Sequence, residues 1–243
     1  PSHPLCVGTF GTHGNRHANF AVQNSDFVIS FGSRLDTKST GSPPSTFARE
    51  AIKIVIDVDS SELSKFASFG LSIDKLILQD LKTANLTPLF TKAASYQFNS
   101  TAPWLSRISK WHTLFSQIDY NSRKDLCVDK IDPYLFFDCL SNSISTPTNL
   151  IFDTGCSLAW GMQSFQCNSS TRIFHDFNNT AMGWSLPASI ASALAEPNKQ
   201  TLCVVGDGSF MMSLHELAVF KRYSLPIKIF MFNNAGYGMI QQT

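Results

Sequence analysis

Apolar residues along this chain come in short runs separated by amphipathic or polar stretches. Asp26 to Gly32 (DFVISFG) is one run, closed by glycine, and Lys53 to Asp57 (KIVID) is another. Both predict buried strands of a parallel sheet. Between them the Gly/Ser/Pro-rich stretch Thr37 to Thr46 predicts a loop, and Phe47 to Ala51 a short helix. Further on, Trp104, Leu105, Ile108, Trp111, Leu114 and Phe115 recur at three- and four-residue spacing, which predicts an amphipathic helix over 104–115.

Past a polar segment, Tyr120 to Lys124, the alternation becomes regular. It predicts helix Pro133–Leu140, strand Asn149–Asp153, helix Leu158–Gln163, strand Arg172–His175 and helix Ala181–Leu194. Strand Leu202–Gly206, helix Phe210–Tyr223 and strand Ile227–Phe232 follow. Strands that alternate with helices of this length require a parallel sheet with right-handed crossovers. The expected fold class is therefore α/β, with two doubly wound parallel-sheet domains spanning 1–118 and 126–243. No internal repeat is visible.

Composition narrows the partners. The 243 residues carry a formal net charge of +1, with 43% hydrophobic and 15% charged residues, enough apolar content for two cores. Without a Lys/Arg run there is no electrostatic footprint for nucleic acid or an anionic membrane. No apolar run approaches the ~18 residues that cross a bilayer, and the start, Pro1-Ser2-His3-Pro4, lacks a basic segment followed by an apolar one. Cys6, Cys127, Cys139, Cys156, Cys167 and Cys203 are scattered, with no zinc-type spacing, and read as free thiols of a soluble cytoplasmic protein. A first residue other than Met, and an end just past a strand and a glycine turn, suggest a fragment of a longer protein.

The candidate chemistry lies at strand ends. Leu202-Cys203-Val204-Val205 runs into Gly206-Asp207-Gly208-Ser209 and then a helix. Glycines there let backbone N–H groups close on a phosphate at a helix N-terminus, where open α/β sheets bind ligands. A bound diphosphate needs a cation to offset its charge, and Mg²⁺ takes oxygen ligands from one or two carboxylates plus phosphate. Asp207 is the evident carboxylate. The next strand ends in Asn233-Asn234, an amide-rich turn that suits the same ion.

Gly206-Asp207-Gly208, an intervening helix and strand, and then Asn233-Asn234 resemble the thiamine diphosphate (ThDP) motif of the pyruvate decarboxylase and acetolactate synthase superfamily. The resemblance implies a metal held by Asp207, Asn234 and the main-chain carbonyl of Gly236. Asn179 to Ala188 (NTAMGWSLPA) resembles the segment whose apolar side chain wedges beneath the cofactor and bends it into a V; Met182 takes that place, beside Ala181. Taken alone, a methionine at a helix start is an ordinary gap-filler. Asp153-Thr154-Gly155-Cys156-Ser157 resembles the first diphosphate loop, with Cys156 and Ser157 where acetolactate synthases carry Gln and His. The implied cofactor contacts are thus Gly155, Cys156, Ser157, Ala181, Met182, Gly206, Gly208, Ser209 and Tyr237. In fold terms the resemblance implies a truncated ThDP-binding domain behind part of a Rossmann-like central domain.

Pro4 to Gly14, Ala18 to Gln23, Gly32 to Asp36 and Asp57 to Asp59 are similar to the second half of that central domain, which in acetolactate synthases holds FAD in a non-redox role and in other members ADP, CoA or nothing. Gly11, Gly14, Gly32 and Arg34 are the candidates for flavin contacts; the same residues would serve equally as tight turns and a solvated arginine. His13 reads as a surface or core histidine. The family's catalytic Glu lies in a pyrimidine-binding domain that no segment here matches, so no catalytic acid or base is assigned. A homodimer or higher oligomer acting on a 2-oxo acid is implied. Thr243 stands where acetolactate synthases place a tryptophan that shapes the second-substrate pocket, which keeps a simple 2-oxo acid decarboxylase or a non-catalytic ThDP-binding protein as alternatives. A dinucleotide oxidoreductase is disfavoured because no G-x-G-x-x-G follows any strand.

Overall fold

The computed structural model describes residues 3, 5–85, 87–88, 91, 101–115 and 130–241. By its contacts the chain divides into two compact units: Val7–Ser116, and Pro1–Cys6 with Gln117–Thr243. The polar segment expected at a boundary, Tyr120 to Lys124, lies outside the described residues, as do Cys127 and Thr243.

The unit Val7–Ser116 contains a parallel sheet of β1 (Phe27–Phe31), β2 (Ile52–Asp57) and β3 (Lys75–Leu78), in that order. Ile29 pairs with Ile54, and Ile54 with Lys75. The first two strands lie where the apolar runs predict them; β2 is largely buried as expected, whereas β1, at the sheet edge, leaves Phe27 and Phe31 exposed. β3 was not legible beforehand: four residues at a sheet edge are too few to display a period. Leu35, Phe47, Ala48, Val55, Leu63 and Phe66 form the centre of this core.

Phe47 to Ala51 is a turn and not the expected helix. Ala48 takes φ +42°, its N–H donates to Gln23 Oε1 at 2.9 Å, and both Phe47 and Ala48 are buried. A core contact thus overrides the local helix preference of FAREA. The loop expected at Thr37 to Thr46 contains one helical turn, Thr37–Thr40, started by Asp36 accepting the Ser39 N–H at 3.0 Å, and a 3-10 turn at Pro44–Thr46.

The amphipathic helix is present as Ala102–Leu114. Its apolar side packs on the helix Arg16–Gln23: Phe20 lies 5.5 Å from Trp111 and 5.0 Å from Phe115, ring to ring, and His17 meets His112 at 4.6 Å. His17 is buried, and its Nδ1 has no partner among the described residues. Burial pushes the His17 pKa below its ordinary 6.5; the neighbouring His112 adds to this, and a hydrogen bond with the Val7 backbone opposes it. The unfolded chain therefore takes up the proton first as pH falls through about 6.5. Stability of this unit is expected to decline below that pH until the folded-state value is passed, where the decline levels off. Thermal melts from pH 8 to pH 5 check this, with His17→Phe expected to flatten the profile; an identical slope in the variant would assign the dependence elsewhere.

The second unit holds β4 (Thr148–Phe152), β5 (Thr171–His175), β6 (Gln200–Gly206) and β7 (Ile227–Phe232), all parallel, in the order β5-β4-β6-β7. Leu150, Phe152, Leu202 and Val204 enter a core with Phe137, Leu158 and Phe165, whereas Cys203 and Val205 pack with Leu186 in another cluster. Both faces of β6 are covered, which is why its centre, Leu202 to Val205, reads as an unbroken apolar run.

The helix Pro133–Ser143 is capped by Asp132, whose carboxylate accepts the N–H groups of Tyr134 at 2.8 Å and Leu135 at 3.0 Å. The next helix, Cys156–Ser164, approaches the sheet so closely that a Cβ on Gly161 would sit 2.3 Å from the Phe152 ring. Two expected helices are shorter than their apolar patterns. Ala181 to Trp184 forms a turn and the helix occupies Ser185–Ala195. The stretch Phe210–Tyr223 belongs to three pieces, Asp207–Met212, Leu214–Glu216 and Leu217–Arg222, broken at Ser213, which has φ −129° and ψ 24°.

Candidate functional site

In the order β5-β4-β6-β7 the chain leaves β4 toward β5 on one side, and β6 returns on the other. The point where strand order reverses therefore lies between β4 and β6, and loops leaving their carboxyl ends diverge to open a crevice. The two loops there are Asp153 to Ser157 and Gly206 to Ser209, the two stretches singled out for phosphate contact.

In the first loop Gly155 has φ +96°, a conformation open to glycine and costly for other residues. It turns β4 directly into the helix Cys156–Ser164. Ser157, in the first turn of that helix, is buried, and its Oγ has no partner among the described residues. Burial raises the Cys156 thiol pKa above its ordinary 9.0, so Cys156 is held as a neutral thiol.

In the second loop Gly206 ends β6 and Asp207 begins the helix Asp207–Met212. A Cβ on Gly206 would meet nothing within 4 Å, and its φ of −80° is ordinary. The chain by itself does not require glycine there, whereas an approaching ligand would. Gly208 is different: a Cβ on it would stand 2.3 Å from the ring of Tyr237.

Register carries the third element to the same rim. Gly206 pairs with Phe232, so Asp207 lies one residue beyond the last pair on β6 and Asn234 two beyond it on β7. Adjacent strands run about 4.8 Å apart. Asn233 accepts the Ala235 N–H at 3.0 Å through Oδ1, which holds the turn, and Ala235 has φ +55°. A Cβ on Gly238 would lie 2.9 Å from Asn234 Nδ2 and 3.6 Å from Cys156 Sγ. The β4 and β7 loops therefore meet at Gly238, and the β6 and β7 loops at Gly208 with Tyr237.

Thr180 to Trp184 is the fourth element. Thr180 has φ +53° and Gly183 φ +82°, so Met182 rides a tight turn, 37% exposed, with Ala181 exposed beside it. A Cβ on Gly183 would fall 2.9 Å from Met212 Cβ and 3.4 Å from the Ser209 carbonyl oxygen. The Met182 turn thus lies directly against the helix that begins at Asp207.

Asp153 was not singled out as a site residue, yet it is 1% exposed and its carboxylate accepts three N–H groups: Thr154 at 3.0 Å and Gly183 at 3.2 Å on Oδ1, Ser185 at 2.8 Å on Oδ2. The available signal was an acid directly after the apolar run Leu150 to Phe152.

Two of the residues considered for flavin have another use. A Cβ on Gly11 would lie 2.6 Å from the Lys38 carbonyl oxygen, and one on Gly14 2.5 Å from Phe10 Cα, so both accommodate the chain's own backbone. Gly32 keeps φ +56°, with only Leu81 Cδ1 near its missing Cβ. Arg34 Nε pairs with Glu62 Oε1 at 2.9 Å. His13 has its pKa lowered chiefly by burial.

Among the described residues no three His, Cys, Asp or Glu side chains cluster to hold a metal. A cation on this rim would rest on one carboxylate and neutral oxygens. Among the same residues no helix is long and apolar enough to cross a membrane.

Comparison with known proteins agrees with the geometry. Residues 153–243 match the family described as thiamine pyrophosphate enzyme, C-terminal TPP binding domain, and residues 1–82 the thiamine pyrophosphate enzyme central domain. The acetolactate synthase large subunit of Cyanidium caldarium is 33% identical over 98% of this chain and 39% of the relative. That of Lactococcus lactis subsp. lactis is 30% identical over 99% and 40%, and isozyme 2 of Escherichia coli 31% over 99% and 41%. The chain spans about two fifths of the length of these curated relatives. With parallel sheets, strand-end glycine turns and both domain matches in sequence order, the chain belongs to the thiamine pyrophosphate enzyme family, carrying parts of its central and C-terminal domains.

Proposed function

We propose that this chain binds thiamine diphosphate, the same compound as thiamine pyrophosphate, together with Mg²⁺, and serves carboligation or decarboxylation of a 2-oxo acid in the manner of acetolactate synthase. The observation that carries the reading is the meeting of four turns on one carboxyl rim beside the switch point: Asp153–Ser157, Ala181–Gly183, Gly206–Ser209 and Asn233–Gly238. The residues fit the cofactor. Gly206 faces open space where no contact of the described residues demands a glycine, Ser157 keeps a buried hydroxyl at a helix start that has no partner among the described residues, and the donor set is all hard oxygen.

In this reading Asp207, the Asn234 amide oxygen and the Gly236 carbonyl hold Mg²⁺. Backbone N–H groups of Gly155, Cys156, Ser157, Gly206, Gly208 and Ser209 offset the diphosphate charge. Ala181 and Met182 support the middle of the cofactor, and Tyr237, packed on Gly208, borders it. When bound, the cofactor supplies an electron sink for the carbon that loses CO₂. Residues 1–118 are assigned to the central domain and 126–243 to the diphosphate-binding domain. A flavin in the former would draw on Gly32 and Arg34. The assembly is read as a cytoplasmic homodimer or higher oligomer. Thr243, in the place of a tryptophan, favours one second reading, a simple decarboxylase in which a proton replaces the carbon acceptor; with pyruvate it would yield acetaldehyde instead of acetolactate.

Titration calorimetry tests the cofactor assignment. ThDP with Mg²⁺ is expected to bind the full chain, chelation of the metal to abolish the heat, and NAD to give none. Binding of NAD without binding of ThDP would overturn the assignment.

A further inference from the structure

We infer that Asp153 is a positioning residue that holds the Met182 turn at the height needed to support the cofactor; the inference rests on the ThDP reading above. The carboxylate is the last polar group before the β4 loop, and its position is set by the sheet: the Asp153 N–H donates to the Val204 carbonyl at 2.8 Å, extending the β4–β6 pairing by one step. From that fixed point it reaches across 30 residues of sequence to Gly183 N–H and across 32 to Ser185 N–H. It therefore caps the first turn of the helix Ser185–Ala195 from another strand, a role its own N-cap residue, Trp184, does not fill.

The turn is clamped from the far side as well. Gly183 lacks a Cβ where Met212 Cβ, Ser213 Oγ and the Ser209 carbonyl crowd in, at 2.9, 3.3 and 3.4 Å from the place a Cβ would take. Met182 sits between Thr180 at φ +53° and this clamped glycine, so its backbone has little freedom although its side chain is partly exposed. The same carboxylate accepts the Thr154 N–H, so a single buried acid ties the first diphosphate loop to the wedge turn. A buried carboxylate with three charge-assisted bonds is a stiff connection. In Asp153→Asn one oxygen becomes an NH₂ that faces an N–H donor, which releases one side of the clamp while conserving volume.

The test uses the full chain and two probes, inorganic pyrophosphate with Mg²⁺ and ThDP with Mg²⁺. Pyrophosphate needs only the glycine loops and the metal, whereas ThDP also needs the wedge. Asp153→Asn is expected to weaken ThDP by about 10- to 100-fold, the size of effect seen when a supporting residue behind a binding group is lost, while pyrophosphate affinity changes less than about threefold, because the amide oxygen retained at the Oδ1 position still accepts the Thr154 N–H of the diphosphate loop and the NH₂ falls opposite Ser185. Met182→Ala should give the same selective loss, and the double variant little more than either alone, as coupled residues behave. Equal losses for both probes, or additive losses in the double variant, would overturn the positioning role. So would an unchanged ThDP affinity in Asp153→Asn. If the unsubstituted chain itself fails to bind ThDP, the functional reading fails first, an outcome separate from these. If Asp153→Asn does not fold, hydrogen exchange in the unsubstituted chain decides: the Gly183 and Ser185 amides should be protected relative to Ala181, and one common rate for the three would overturn the clamp.

Discussion

Asp207→Ala is expected to remove Mg²⁺-dependent ThDP binding, lowering affinity by more than about 100-fold, since loss of a residue that only supports a metal ligand already costs 10- to 100-fold. The size follows from the donor set. In the proposed site Asp207 is the sole carboxylate, joined by an amide and a main-chain carbonyl, so its loss leaves only neutral protein oxygens opposite a diphosphate. The fold should survive. Asp207 is the first residue of a six-residue helix, and an acid in a helix's first turn contributes roughly 0.3–1 kcal/mol through the helix dipole. Calorimetry with and without Mg²⁺, beside a far-UV spectrum, measures both effects. Asp207→Ala binding ThDP as tightly as the unsubstituted chain would remove Asp207 from the metal site.

Phe137→Ala is expected to cost about 3–5 kcal/mol of stability, within the range for removing a buried aromatic ring. Phe137 is fully buried on the helix Pro133–Ser143, with ring centroids 5.2 Å from Phe136, 5.5 Å from Phe152 and 5.4 Å from Phe232. Phe152 and Phe232 are the last residues of β4 and β7. The cavity would therefore open directly beneath the two loops that begin at Asp153 and Asn233. Against a typical total of about 5–15 kcal/mol, the loss is large enough for urea denaturation to show an early transition, and ThDP affinity should fall with it. A midpoint shift equivalent to less than about 1 kcal/mol would mean that the aromatic cluster relaxes into the space.

The main strands of both sheets and the glycine turns of the proposed diphosphate rim were legible in the sequence because their signals are local. A strand covered on both faces carries an apolar run, as β4 does over Leu150 to Phe152 and β6 over Leu202 to Val205, and a turn that meets a phosphate must free its backbone, the role proposed for Gly206-Asp207-Gly208. The expected order of elements in the second unit follows for the same reason. Local pattern misread Phe47 to Ala51, where a buried alanine bonded to Gln23 makes a turn of a stretch whose composition favours helix. It also overran the start of the helix at Ser185, because the residue that ends the preceding turn is Asp153, far away in sequence.

What the sequence determined alone was the class of fold, the family resemblance and the residues with the chemistry to hold a diphosphate and a hard cation. Tertiary structure decided which of them meet. Strand order placed the β4 and β6 loops on either side of the switch point, register brought Asn234 to the same rim as Asp207, one residue further along, and close approach at Gly183, Gly208 and Gly238 joined four separate turns. Such meetings depend on pairing and packing between segments tens of residues apart, and the spacing of apolar residues within a segment carries no record of them.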